Sequence, residues 1–379
     1  MTRQERERIR QETGRAARFA ESVIDPRRAE LSQTAMFPPD LWERMAREGF
    51  FRVGIPAEAG GTGGGAPAIQ AVGEALTLHG GCLGVVLSWL IQVLVIRWVF
   101  LRDATEEQCR TWLEPIVSGR TIISLAASEP KVGAHPKFLK TAAAPRDGGW
   151  VLNGEKSMPS NGPLAGLFVV LAVTGGSEKR KSFGAFLVPA DAPGLTRTEP
   201  ADLKALHPSP HGGIILADCF VPPEAALGDT TDAYRRSAFP FREIEDTLLM
   251  GPVTGMLFRQ AQRLSALLRS GADPGEEIRA DLGRLSAQLD MIRILAREAA
   301  DLLERPDATR PLFSLLFTFR EVADHCQFLL DDLASQAGFA ADLELAGWAM
   351  DTRFTLSVGR NVLKLRLKKA GLDFLSNPK

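Results

Sequence analysis

The stretch from Ser128 to Ala172 limits the fold more than any other part of the chain. It opens on a Ser-Glu-Pro turn, runs through Asn153-Gly154-Glu155-Lys156 and reaches a second polar turn at Ser160-Asn161-Gly162. In and around it, ISLAAS, GWVLNG, LFVVLAV, FGAFLVP and GIILADCFVP are short runs rich in β-branched and aromatic residues, punctuated by RDGG and PADAPG. This is the pattern of strands and tight turns. Long amphipathic segments lie on both sides, so the chain must hold a β-domain between two helical ones. The expected fold is α+β: an all-α N-terminal domain at 1–120, a central β-sheet or barrel domain at 121–231 and a C-terminal four-helix bundle at 232–379.

The flanking segments repeat with helical spacing. Pro39 suits the first turn of DLWERMAREGF, with Asp40 in its positively polarised N-terminal region. A glycine-rich loop, GGTGGG at 60–65, leads into PAIQAVGEALTLHG. Past residue 232, EDTLLMGPVTGMLFRQAQRLSALLR, EIRADLGRLSAQLDMIRILAREAADLLE, LFSLLFTFREVADHCQFLLDDLASQ and WAMDTRFTLSVGRNVLKLRLKKAG supply the four bundle helices. The run CLGVVLSWLIQVLVIRWVFL at 82–101 is about long enough to span a bilayer. Ser88, Gln92 and Arg97 interrupt it, and an arginine deep in hydrocarbon costs about 3 kcal/mol. A buried core helix, and no membrane span, is expected.

Charge excludes one class of partner. With 45 basic against 46 acidic side chains, no net field draws the chain to nucleic acid. Cys82, Cys109, Cys219 and Cys326 are isolated and read as buried apolar residues of a reducing compartment. The start, MTRQERERIRQETGRAARFA, is charged throughout and lacks the apolar core of a secretory signal, so cytoplasm is expected.

Three motifs have plain readings. Gly61-Thr62-Gly63-Gly64-Gly65-Ala66 fits a dinucleotide fingerprint formally, but helices rather than a βαβ unit follow it, so the glycines are turn formers. His207 and His211 have a spacing some metal sites use. Pro208 and Pro210 break any helix that would bring both rings to one face, and no metal is expected. The cluster Glu243-Ile244-Glu245-Asp246 reads as the first turn of a helix, where acidic side chains meet the positive end of the dipole.

Taken in order, several short motifs make the whole chain resemble the acyl-CoA dehydrogenase family. They are Pro56-Ala57-Glu58-Ala59-Gly60-Gly61-Thr62-Gly63, Glu106-Glu107-Gln108 with Leu113-Glu114-Pro115 and Gly119, and Ser128-Glu129-Pro130. Leu152-Asn153-Gly154-Glu155-Lys156, Ser160-Asn161-Gly162 and Val221-Pro222 through Leu227-Gly228 complete the series. The resemblance implies FAD bound between the β-domain and the C-terminal helices, and oxidation of an acyl thioester carried by coenzyme A or a carrier protein. A carboxylate would remove the α-proton while the β-hydrogen leaves as hydride.

It also implies roles for particular residues. Leu125, Ala127, Ser128, Met158, Ser160 and Arg269 would contact FAD, and Gly133, Ala134 and Asp246 the substrate. The family's usual glutamate follows an R-D-A-R-like run, matched here by Met350-Asp351-Thr352-Arg353. The next residues, Phe354 to Arg360, contain no carboxylate. A minority branch keeps its glutamate ten residues before a glycine, as Glu245 precedes Gly255, which makes Glu245 the candidate base. Asp246 beside it would raise its pKa. An electron-transfer flavoprotein or another acceptor, and a homotetramer or homodimer, are the implied partners.

Other positions depart from the family. Gly133-Ala134-His135 lacks an expected hydroxyl, Met158-Pro159 replaces a Trp-Ile pair, and only Gln336-Ala337-Gly338 remains of a glycine-rich loop. The expected FAD-contacting arginine is matched in charge alone by Arg269 or Arg263. A flavin-dependent oxygenase or oxidase on the same scaffold, or a non-catalytic subunit, are the alternatives.

Overall fold

The computed structural model describes residues 2–177, 180–271, 273–305 and 309–376. Its longer helices are α1 (Arg3–Phe19), α2 (Pro39–Arg47), α3 (Gly65–Gly80), α4 (Leu83–Val95) and α5 (Glu106–Val117), then α6 (Phe239–Leu248), α7 (Met250–Ser270), α8 (Gly275–Leu303), α9 (Thr309–Gln336), α10 (Leu343–Ser357) and α11 (Arg360–Ser376). Seven strands lie between the two helical sets: β1 (Ile123–Ala126), β2 (Ala142–Arg146), β3 (Gly149–Lys156), β4 (Leu167–Ser177), β5 (Arg180–Pro189), β6 (Leu195–Pro200) and β7 (Gly212–Val221). The helical, β, helical order expected from periodicity is the order observed.

The sheet runs β1-β4-β2-β3-β7-β6, with β5 on the free side of β4. Strand β1 pairs with the start of β4, and β2 takes up the same edge further along, where Ala142 meets Val173. Five strands were legible as apolar runs, whereas β2 and β6 were not. Strand β2 is mostly exposed and carries Pro145, and β6 is a polar edge strand of sequence LTRTEP. Each forms because a neighbour supplies the ladder, not because its own side chains demand burial.

The C-terminal region departs from four simple segments. Helix α7 packs on α8, α9 and α10, with α8 on α9 and α9 on α10, which is the expected bundle. The first expected segment instead divides into α6 and α7 at Leu249, just before Pro252. The last divides at Gly359, whose φ of 77° is left-handed backbone that favours glycine and ends α10. Three of the cysteines are buried as expected; Cys109 is half-buried, and all four are free thiols.

Helix α4 is buried along its whole length. The span Leu83–Asp103 is apolar enough to cross a membrane by length and composition, yet lies 89% inside the protein. Its polar interruptions are its fastenings. The Gln92 amide donates to the carbonyls of Ile116 (3.0 Å) and Thr121 (3.1 Å) and accepts from the N–H of Ile123 (2.9 Å). Ser88 donates to Ser209 at 3.0 Å, and Arg97 forks onto Glu304 at 2.8 and 2.9 Å. Helix α4 thus touches β1 on one side and α6, α7 and α10 on the other, and it positions both halves of the site.

Candidate active site

One half of the site is built on the β-domain around a buried ion pair. Lys156, at the end of β3, is wholly buried; its Nζ donates to Glu129 Oε1 at 3.0 Å and to the Ala127 carbonyl at 3.1 Å. The Glu129 carboxylate also accepts the N–H groups of Lys140 (2.7 Å) and Thr141 (2.8 Å). Burial alone would push the Glu129 carboxyl up, but Lys156 and those N–H groups outweigh it and hold it below the ordinary range. Burial pulls the Lys156 ammonium down to about 8, against Glu129. The pair pins the Ser128-Glu129-Pro130 turn to β3, and the Ser157 N–H donates to the Ser128 carbonyl at 2.9 Å.

The expected cofactor contacts from the β-domain form one edge here. Leu125 and Ala127 lie on and just beyond β1, and Ser128 is half-buried with no hydrogen bond to its hydroxyl among the described residues. Met158 is 44% exposed, so its side chain is free to meet a ligand. Met158 and Asn161 both hold φ near 60°, left-handed backbone on either side of Ser160. Such conformations cost about 1–3 kcal/mol each and gather at functional sites. Gly133, exposed at φ 60°, and half-buried Ala134 line the loop after the turn. Arg269 is exposed in the last turn of α7, and Arg263 is held by Asp342 at 2.8 Å.

Ser160 has a partner that local sequence could not reveal. Its hydroxyl lies 3.0 Å from His211 Nε2, and the two residues form an isolated antiparallel bridge. His207 and His211 belong to no metal-binding group among the described residues. The loop before His211 is wedged under α4: a Cβ on Gly84 would sit 2.2 Å from the Leu206 carbonyl, so only glycine fits there.

Asp351 of α10 fastens the same loop by accepting the Leu206 N–H at 2.8 Å. Burial pushes its carboxyl from 3.8 to about 6, against that N–H and the nearby His207. Between those two values the folded protein keeps a proton that the unfolded chain has lost. The stabilising contribution is therefore full below the lower value and lost as pH rises through the upper one. Asp351→Asn keeps an acceptor and removes the charge. It should melt at a higher temperature than the parent at about pH 8, by up to about 3 kcal/mol of stability, with the gap closing towards about pH 4. Thermal melts at both pH values check this; an equal gap at both would show that the carboxyl is not titrating as described.

The other half of the site lies on α6, and it corrects one expectation. The acidic cluster does not open a helix. Helix α6 begins at Phe239, with Pro240 in its first turn and no acidic residue there, so Glu243 falls at its middle and Glu245 and Asp246 in its second half. The dipole opposes carboxylates at that end, and arginines hold them instead. Arg242 binds Glu245 at 3.3 Å and also Asp246. Arg320 of α9 binds Asp246 at 2.9 Å and donates to the carbonyls of Leu356 (3.0 Å) and Val358 (2.9 Å), while Arg366 of α11 binds Glu243 at 2.7 Å.

Burial pushes the Glu245 carboxyl up; Arg242 opposes that, Asp246 adds to it, and the net direction is upward. A Cβ on Gly359 would lie 3.3 Å from the Arg242 guanidinium. The turn after α10, which lacks a carboxylate of its own, therefore abuts the same arginine that holds Glu245. A cavity lined by Asp246, Leu249, Met250, Val253, Phe319, Arg320 and Leu356 opens beside it.

Comparison with known proteins agrees with this architecture. The model of the acyl-CoA dehydrogenase N-terminal domain matches residues 4–120, and that of the middle domain matches residues 124–219. A probable acyl-CoA dehydrogenase of Bacillus subtilis, YngJ, is 33% identical over 58% of this chain and 57% of its own length, so the match spans little more than half of that relative. The benzylmalonyl-CoA dehydrogenase of Aromatoleum aromaticum is 27% identical over 93% of this chain and 95% of its own. Among solved structures, butyryl-CoA dehydrogenase from Megasphaera elsdenii superposes with a TM-score of 0.86 at 19% identity, covering 98% of this chain and 99% of that one. A structure described as the FAD complex of PigA superposes with a TM-score of 0.83 at 20% identity, covering 97% and 98%.

Proposed function

The chain belongs to the acyl-CoA dehydrogenase family, and from that premise we propose that it oxidises an acyl thioester across its α,β carbon–carbon bond with FAD, using Glu245 as the base. The observation that carries this reading is the placement of Glu245: a largely buried carboxyl, its side chain 17% exposed, with a raised pKa, held by the arginine that abuts Gly359. The two positions at which the family keeps its glutamate meet at one guanidinium, so Glu245 can serve where the later turn has none.

The β-domain edge suits a flavin ring. The Ser128 hydroxyl, without a partner among the described residues, the exposed Met158 side chain and the half-buried Ser160 offer polar and apolar contact on segments tied to β1 and β3 by hydrogen bonds. Bound there, FAD would supply the acceptor for the β-hydrogen and its electron pair. The protein's own work is positioning and proton transfer. Glu245 takes the α-proton and becomes neutral, and its burial favours that neutral form. Arg242 is not stranded, because Asp246 remains as its counter-ion. Asp246 is less suited to act as the base, since two guanidiniums already occupy its carboxylate. We take the substrate to be an acyl group on coenzyme A or a carrier protein, and the final acceptor to be an electron-transfer flavoprotein or another oxidant. Exposed Val362, Leu365, Leu372 and Phe374 on α11 support assembly with further copies.

The test is spectroscopic. The purified protein should show a flavin absorption spectrum, and anaerobic addition of an acyl-CoA should bleach it. A colourless preparation, or a flavin that no acyl-CoA reduces, would sink the proposal and favour the non-catalytic subunit.

A further inference from the structure

We infer that His211 commits the proton of the Ser160 hydroxyl, so that Ser160 presents an oxygen lone pair, and not a donor, to whatever ring meets it at the β-domain edge. The geometry fixes this without appeal to the ligand. His211 Nδ1 lies 3.1 Å from the Ser209 carbonyl, which can only accept, so Nδ1 carries the ring proton. Nε2 is then the acceptor of the neutral ring, and at 3.0 Å it takes the Ser160 proton. Burial keeps the ring neutral by pulling its pKa below the ordinary value, the Ser209 carbonyl only partly offsetting this.

The arrangement is held on every side. The Ser160 carbonyl accepts from Ser124 at 2.7 Å, the Asn161 N–H donates to the Pro210 carbonyl at 2.9 Å, and the Ser209 hydroxyl is bonded to Ser88 of α4. His211 is thus a positioning residue that acts through Ser160. The inference builds on the flavin reading above. A reduced flavin carries an N–H at the ring nitrogen that is bare when oxidised. Ser160 would lie near that nitrogen on the family resemblance, and an acceptor facing it stabilises the reduced form and opposes the oxidised one.

Two measurements test it. Nitrogen NMR of histidine-labelled wild-type protein at neutral pH should show His211 as the neutral Nδ1–H tautomer, with Nε2 unprotonated. An Nε2–H tautomer or an imidazolium would overturn the assignment, and this readout needs no flavin. In the flavin-loaded protein, His211→Phe frees the Ser160 proton for the oxidised ring. The reduction equilibrium should shift at least tenfold towards oxidised flavin, a fall of about 30 mV for a two-electron couple. Ser160→Thr should keep the wild-type potential, and in a Ser160→Ala background His211→Phe should shift nothing further. An unchanged potential in His211→Phe alone overturns the inference. A protein that purifies without flavin sinks the functional reading only, because the tautomer still decides the hydrogen-bond assignment.

Discussion

Glu129→Ala should destabilise the protein by about 3–5 kcal/mol and lower its melting temperature by about 5 °C, a larger effect than any single surface change. The reason is the company the carboxylate keeps. Lys156 is entirely out of water, and among the described residues its ammonium has only Glu129 and the Ala127 carbonyl as partners. Removing Glu129 leaves a buried cation without a counter-ion and also frees the N–H groups of Lys140 and Thr141. Lys156→Met should cost less, since an apolar chain of similar length fills the space, though it leaves the Glu129 carboxylate buried without its cation. Replacing both together should recover much of the loss of either alone. Calorimetry of the two single variants and the double variant measures this coupling. A Glu129→Ala melting temperature within a degree or two of the parent would mean that the pair is not buried as described.

Glu245→Gln should slow flavin reduction by acyl-CoA about a thousandfold while leaving thioester binding nearly intact. Glutamine keeps the shape and one acceptor for Arg242 but cannot take a proton. The parent should also reduce faster as pH rises through the raised pKa of Glu245, because the base works only when ionised. The variant should lose that limb of the profile. Asp246→Asn gives the contrast: it loosens Arg242 and Arg320 and lets the Glu245 pKa fall, so its profile should move to lower pH and persist. Stopped-flow reduction across pH separates these outcomes. If Glu245→Gln reduces at the parental rate, the base lies elsewhere.

Legibility in the sequence followed the physics of each element. Strands that bury a face, such as LFVVLAV of β4, announce themselves by composition, as does the apolar helix α4. Strands β2, of small residues and proline, and β6, which is polar, are both mostly exposed, and their ladders come from partners chosen at the tertiary level. The start of α6 was misplaced because an acidic cluster before an apolar run looks like a helix N-terminus. The true start lies at Phe239, where Pro240 occupies the first turn. In the candidate site, Ser128, Ser160 and Glu245 could be named from spacing and resemblance. Arg242, Arg320 and His211 could not. Their roles depend on contacts such as Arg320 with Asp246, 74 positions away, and His211 with Ser160, 51 away. An arginine three or four residues before a carboxylate on one helix was a signal available for Arg242 alone.

The fastenings of α4 also bear on how the chain reaches its native state during synthesis. Gln92 donates to Ile116 and Thr121 and Arg97 to the Gly54 carbonyl, all near at hand, but Ser88 meets its acceptor at Ser209 and Arg97 its counter-ion at Glu304. A nascent chain that has emerged no further than the first helical region therefore displays an apolar rod with Ser88 and the Arg97 charge still short of their distant partners. That species is suited to capture by chaperones and prone to self-association. The boundary near residue 120 separates two kinds of secondary structure, but not two pieces that can mature alone. The N-terminal region must wait, partly formed, until more than half of the remaining chain has arrived to close around it.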